Sequence, residues 1–364
     1  MQGSVGSEEL RSGTGTEVLV ELTRGAVVES IHRGAFAVAR ADGHMIASCG
    51  NPSLGTWVRS AAKPFQALGL FESGAIDRFH IPEDELAIVI ASHSGEDFHI
   101  RLVMSLMTRT GVREEWLLCG PQAPFDPITR AEMIRTGAKP GVLQNNCSGK
   151  HAGMCASALS MGVPVEGYVD PAHPVQEANR RRLALLGRMG GPGEVGVAVD
   201  GCSVPTFGVP LDRFATAFAR LAEAGAASGA EAVPGMKAVW DAMVRRPEVI
   251  AGTRERIDTA LMLGAREAGL PLVAKAGAEG VYAIGVVSER HGPIGIALKI
   301  EDGGERARNV AAIEILERLE LARDPVLDLV AEYRARRLTN RAGRIVGEIR
   351  PCFDMRIRLR KGQV

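Results

Sequence analysis

The pattern that most limits the fold is the placement of strand-like segments at both ends of the chain, with helix-like segments between them. Residues 17–22 alternate polar and apolar, and residues 35–40 lead through the Asp42-Gly43 turn into the apolar run 45–47. That period of two marks half-buried strands. Near the other end, residues 281–287 and 294–300 flank His291-Gly292-Pro293, a hairpin signal. Between these ends, residues 61–73, 96–110 and 151–161 carry helical spacing. A Pro-rich step, 170–174, opens a further helix to about Leu186, and 303–319 reads as an amphipathic helix. The short apolar runs 86–92 and 195–199 read as buried strands, and the Ala/Gly-rich stretch 222–234 as a loop. Strands from both ends can bury one face together only in a shared sheet. The expected fold is therefore α+β: an antiparallel sheet built from the N- and C-terminal hairpins, packed with a helical layer. Residues 1–16, rich in Gly, Ser and Glu, read as a disordered lead, and 17–364 as a single domain.

Composition removes several classes of function. The 364 residues carry 43 basic and 43 acidic side chains, so no electrostatic footprint for nucleic acid or an anionic membrane exists. Aromatic content of 4% is too low for a base-stacking surface. No apolar run approaches the roughly 18–20 residues that span a bilayer, and the N-terminus lacks a secretory pattern, which points to the cytoplasm. The six cysteines are scattered, as expected of reduced thiols.

Chemistry is signalled by lysine. Only seven of the 43 basic residues are lysines, and three of them, Lys63, Lys150 and Lys275, sit beside a Ser, a Cys or a Gly turn. Arginine stays protonated in proteins, whereas a buried lysine can lose its proton and act as a base or a ligand. Ser60-Ala61-Ala62-Lys63 places a hydroxyl and an amine at i and i+3 on one helix face. Pro64, tolerated only in the first turn, starts that helix at about Ser60, where free N–H groups favour a developing anion. A neutral Lys63 could then activate Ser60; the plain alternative is an N-cap serine and a solvated lysine. Ser92-His93-Ser94 follows an expected strand and Lys275-Ala276-Gly277 opens another, an order also found in serine β-lactamases and penicillin-binding proteins. Here Ala276 stands where those enzymes carry Thr, and no Ser-Asp-Asn occurs.

Cys147-Ser148-Gly149-Lys150-His151 and Asp200-Gly201-Cys202 are Gly-containing turns at element boundaries. Their two thiols could meet as soft metal ligands with His151 or Lys150 as a third donor, or be buried and inert. Asp200 could orient a neighbour, bind a substrate amino group, or simply form a turn.

Together these five segments resemble the zinc-dependent L-asparaginases of the Rhizobium etli inducible type, the asparaginase II family, over nearly the whole chain. The resemblance implies a fold like serine β-lactamases and glutaminases. It implies two catalytic Ser–Lys pairs, Ser60 with Lys63 and Ser92 with Lys275, and a Zn2+ site on Cys147, Lys150 and Cys202. The motif residues Arg59, His93, Ser94, His151 and Asp200 are expected to bind substrate. Hydrolysis of the side-chain amide of L-asparagine by a homodimer follows from the same likeness. Some family members carry a further cysteine near the zinc, in the region matching 256–261, and this chain has none there. A serine amidase acting on glutamine or a β-lactam-like ring, and a non-catalytic zinc-binding protein, are the alternatives.

Overall fold

The computed structural model describes residues 15–227 and 229–357. Most of the expected lead, residues 1–14, lies outside the described residues. Among the described residues, twelve strands form two sheets. The large antiparallel sheet runs β10 (Arg336–Thr339), β11 (Ile345–Pro351), β1 (Glu17–Arg24), β2 (Val27–Arg40), β9 (Gly292–Ile300), β8 (Val281–Ser288), β7 (Leu272–Ala276). β3 (Met45–Cys49) pairs with β2 and with β12 (Arg356–Ile357). The expectation of one sheet shared by both ends of the chain holds. Its seam is the β2–β9 ladder, in register from Gly34 opposite Ile300 to Arg40 opposite Ile294. A smaller sheet, β4 (Gly55–Trp57), β6 (Pro205–Pro210) and β5 (Gly196–Val199), sits beside the helical layer.

Four local expectations are corrected. Residues 86–90 form the end of a helix, Glu83–Ile90, not a strand. All five are buried, and a fully buried segment loses the polar face whose period separates helix from strand. The missed signal was Pro82 at the N-cap followed by three acidic residues, which suit a helix N-terminus. β5 is an edge strand with Val199 74% exposed, not a buried one. Residues 222–225 continue the helix Leu211–Gly225, because its Ala and Leu side chains bury against the sheet and override the weak Gly signal. Lys275 also stands near the end of β7 rather than at its start.

The helical layer positions the site through one close contact. The helix Ser148–Met161 lies directly on Glu83–Ile90, and a Cβ on Gly149 would run into the Ile88 carbonyl. That approach brings Lys150 and Cys147 next to the segment leaving Ile90, which carries Ser92. Gly149→Ala should cost about 1–3 kcal/mol, since backbone must move to admit the methyl group. Gly153→Ala, which meets only the Val89 side chain, should cost less. Urea unfolding of the two variants checks the order.

Candidate active site

The site begins where β4 ends. Its pairing with β6 extends to Val58, whose N–H donates to the Phe207 carbonyl (2.9 Å). A 3-10 turn, Arg59–Ala62, then carries Ser60, and Lys63 opens the helix Lys63–Ala67 with Pro64 in its first turn. Arg59 adopts φ 47°, a left-handed conformation that costs a non-glycine residue about 1–2 kcal/mol. Asp200 holds it there, accepting from Arg59 Nε at 2.8 Å and from the Gly201 N–H at 2.7 Å. Gly277, just past β7, packs against the Val58 carbonyl, which a Cβ would meet at 2.9 Å. This glycine lets the edge strand approach the turn that carries Ser60.

Lys63 and Lys275 are fully buried and converge on one hydroxyl. Lys63 Nζ donates to the carbonyls of Ala91 (2.7 Å) and Asn146 (3.1 Å) and lies 3.0 Å from Ser92 Oγ. Lys275 Nζ lies 2.8 Å from the same oxygen and 3.3 Å from the Ala276 carbonyl. The lysine at i+3 from Ser60 therefore contacts Ser92, and Ser60 Oγ hydrogen-bonds neither amine among the described residues. Burial lowers both lysines, and Lys275 falls to about 7, with Lys63 and Arg256 nearby adding to the effect and Asp258 opposing it. Ser60 and Ser92 both line a cavity of about 390 Å³.

The other expected residues brace this centre from outside the cavity. His93 accepts from the Gly95 N–H on Nδ1 (3.2 Å), so its Nε2 carries the proton toward Ser148 Oγ at 2.9 Å. Burial holds it well below the usual imidazole range, hence neutral. Ser94 donates to the Ala251 carbonyl (2.9 Å) and accepts from Arg256 (3.0 Å). His151 shares a 2.5 Å hydrogen bond with the Tyr168 hydroxyl. None of Arg59, His93, Ser94, His151 and Asp200 lines the cavity. The cavity instead shows Arg256, Asp258 and Arg308, which no motif marked.

Beside Lys63, Cys147, Lys150 and Cys202 form a buried cluster. Lys150 Nζ donates to Cys202 Sγ at 2.9 Å. The Cys202 thiol hydrogen-bonds Cys147, which with the Lys150 charge and the neighbouring Lys63 amine pushes Cys147 well below the ordinary thiol range. Cys202 is raised by the same hydrogen bond and by burial. Burial opposes the Lys150 charge, but the two sulfurs and Asp200 outweigh it and hold that amine above its ordinary value. Among the described residues no three His, Cys, Asp or Glu side chains group around a common metal position. Two sulfurs and one amine in contact do suit a soft or borderline divalent ion with an open position, once the metal displaces the ammonium proton.

The sequence profile of the family described as L-asparaginase II matches residues 20–351. The chain belongs to the L-asparaginase II family. It is accordingly an amidohydrolase, and two serines at one cavity, with two buried lysines against one of them, are groups suited to that chemistry. The structure is similar to a Bacillus glutaminase solved in the presence of 4.3 M NaCl, with 14% identity over 79% of this chain and 91% of that one, TM-score 0.37. A structure of Mglu is similar with 15% identity over 79% of this chain and 67% of that one, TM-score 0.39. Among curated proteins compared by sequence, none matches. No helix among the described residues is long and apolar enough to cross a membrane.

The L-asparaginase II site carries a pH signature. With both amines protonated, Ser92 has no base in contact. Amide hydrolysis, read as kcat/KM, should therefore rise with pH on the acid side and level off only once both amines, Lys63 as well as Lys275 at about 7, have lost their protons. A steady-state pH profile of ammonia release checks this.

Proposed function

We propose that the chain is an L-asparaginase that hydrolyses the side-chain amide of L-asparagine to L-aspartate and ammonia through a Ser–Lys mechanism. The observation that carries this reading is the shared contact of two buried lysines with Ser92, beside Ser60 on the same cavity wall. Ser60 Oγ attacks the amide carbon. Its hydroxyl is free of hydrogen bonds with the lysines and stands at a helix start. The backbone N–H groups of Ser60 and Ala278, both at the cavity and without a partner among the described residues, receive the oxyanion.

Lys63 takes the Ser60 proton. Ser92, clamped between the amines, passes its own proton to the departing nitrogen and is refilled from Lys63, while Lys275 holds the Ser92 oxygen in line. Ammonia leaves, and water, deprotonated through the same relay, releases aspartate from Ser60. A second reading makes Ser92 the nucleophile, favoured by its direct contact with Lys63. Glutamine is the alternative substrate, differing by one methylene, which a pocket discriminates by only about 1–3 kcal/mol.

Zinc belongs to the proposal, held by Cys147, Lys150 and Cys202. When bound, it would neutralise the thiolates and orient the substrate carboxylate rather than supply hydroxide, because two thiolates reduce its Lewis acidity.

Ammonia release from L-asparagine should exceed that from L-glutamine. Ser60→Ala should lower kcat by about a thousandfold or more, leaving only residual catalysis. Mass spectrometry of quenched enzyme should find the acyl group on Ser60. Full turnover by Ser60→Ala, or an adduct on Ser92, removes Ser60 from that role. Cys202→Ala should reduce bound zinc, measured by plasma emission, from about one per chain to near zero and raise KM for asparagine. Unchanged metal content and KM remove zinc from the reading.

A further inference from the structure

Ser92 stands in a stretch, 91–96, that belongs to neither helix nor strand. No helix or sheet ladder holds it there, yet two amines depend on where its hydroxyl lies. A second irregular stretch, 251–256, runs beside it. Ile250, just before that stretch, accepts the Ser92 N–H (2.9 Å), and Ala251 accepts from Ser94 Oγ (2.9 Å). The buried Glu96 accepts from the Thr253 N–H (2.8 Å), the Thr253 hydroxyl (2.6 Å) and Arg254 Nη2 (2.9 Å). Gly252, at φ 151°, leaves room for Ser94, whose side chain a Cβ there would strike. The two stretches are thus stitched into one unit, and the second ends on Arg256 at the cavity wall.

Arg256 closes that unit. Its Nη2 donates to the Ser92 carbonyl and its Nη1 to Ser94 Oγ, both at 3.0 Å. Two donors in one rigid plane span the turn, which a single ammonium cannot do. The Phe125 ring lies 5.7 Å from the guanidinium carbon. Among the described residues no carboxylate hydrogen-bonds this cation, and Asp258 and Glu305 act on it only through their charge. An arginine that served as half of an ion pair would aim its fork at a carboxylate. This one spends its fork on neutral groups, and those groups carry Ser92.

We propose that Arg256 is a positioning residue for amide hydrolysis, its guanidinium fork setting the Ser92 hydroxyl between the Lys63 and Lys275 amines. This rests on the Ser–Lys reading above and names a group outside that quartet on which its geometry depends.

The same guanidinium bears on Lys275 through its charge. Burial is the main cause that brings that amine to about 7; Asp258 and Cys147 oppose it, and Lys63 and Arg256 add to it. Arg256→Lys separates the two effects, because it keeps the cation and loses the fork.

The test measures ammonia release from L-asparagine by the wild type, Arg256→Lys and Arg256→Gln, with circular dichroism to check folding. Displacing a reacting group by about 1 Å costs roughly a hundredfold, so both variants should lose kcat on that scale. KM should stay nearly unchanged, because the fork holds Ser92 rather than substrate. Wild-type kcat in Arg256→Lys overturns the proposal, since charge alone then suffices. A raised KM at unchanged kcat overturns it too, since Arg256 then binds substrate.

A second readout follows the amine itself. The chain has only seven lysines, so lysine-selective isotope labelling resolves Lys275 by NMR, with Lys275→Arg assigning its signal. Ser92→Ala shows where that signal falls once the hydroxyl is gone. In Arg256→Lys it should move toward the Ser92→Ala position. An unmoved signal overturns the proposal, because the hydroxyl is then still in place. Should neither Arg256 variant fold, Ser94→Ala stands in, since it removes one of the two acceptors. A fall in kcat of about tenfold, the worth of one hydrogen bond, with a moved Lys275 signal then supports the proposal. Wild-type values of both overturn it. If the wild type hydrolyses neither asparagine nor glutamine, the asparaginase reading fails by itself. The Lys275 signal then decides alone: movement in Arg256→Lys supports the proposal, and a fixed signal overturns it.

Discussion

Two fully buried amines share one serine hydroxyl, and the surrounding structure is arranged to make that tolerable. Burying an ammonium away from water costs several kcal/mol unless it is paired or gives up its proton. Lys63 is met by two carbonyls, a hydroxyl and the Cys147 sulfur, and no carboxylate contacts it among the described residues. Lys275 has a hydroxyl and its neighbour's carbonyl. These partners suit a neutral amine nearly as well as a cation, so burial pulls both lysines down, Lys275 to about 7. The arrangement gives up stability for two amines that lose their protons more readily than a free lysine.

Holding that geometry falls to backbone contacts rather than to the reacting groups. Ser60 is placed by the β4–β6 pairing and by Arg59, which Asp200 keeps in a left-handed conformation. Ser92 is placed by the end of the helix Glu83–Ile90, by its N–H donating to the Ile250 carbonyl (2.9 Å), and by Arg256 on its own carbonyl. Lys275 comes from the edge of the large sheet. Three distant parts of the chain meet because Gly149 and Gly277 each admit a carbonyl where a side chain would collide. Tight packing also explains why the thiol cluster adjoins the amines: the turn that offers its Asn146 carbonyl to Lys63 continues into Cys147 and Lys150.

Much of this was legible in the chain. Alternating runs at both ends and the His291-Gly292-Pro293 turn pointed to a shared antiparallel sheet, because period-two patterning and turn chemistry are local properties. Ser60-x-x-Lys63-Pro64 located a helix start, because proline is restricted by its own ring. The helix Glu83–Ile90 was misread as a strand because complete burial erases the polar face. The lysine scarcity singled out the three amines that now sit at the centre.

What the chain by itself determined was which residue types are available for chemistry and where helices and strands begin. Which hydroxyl each lysine touches was decided only by tertiary structure. Sequence adjacency paired Lys63 with Ser60, yet the packing of the helix Lys63–Ala67 on Glu83–Ile90 brings Lys63 to Ser92. The same holds for Arg256, Asp258 and Arg308. An isolated charge on a helix has no local signature of facing a cavity. That property arises from contacts between elements far apart in the chain.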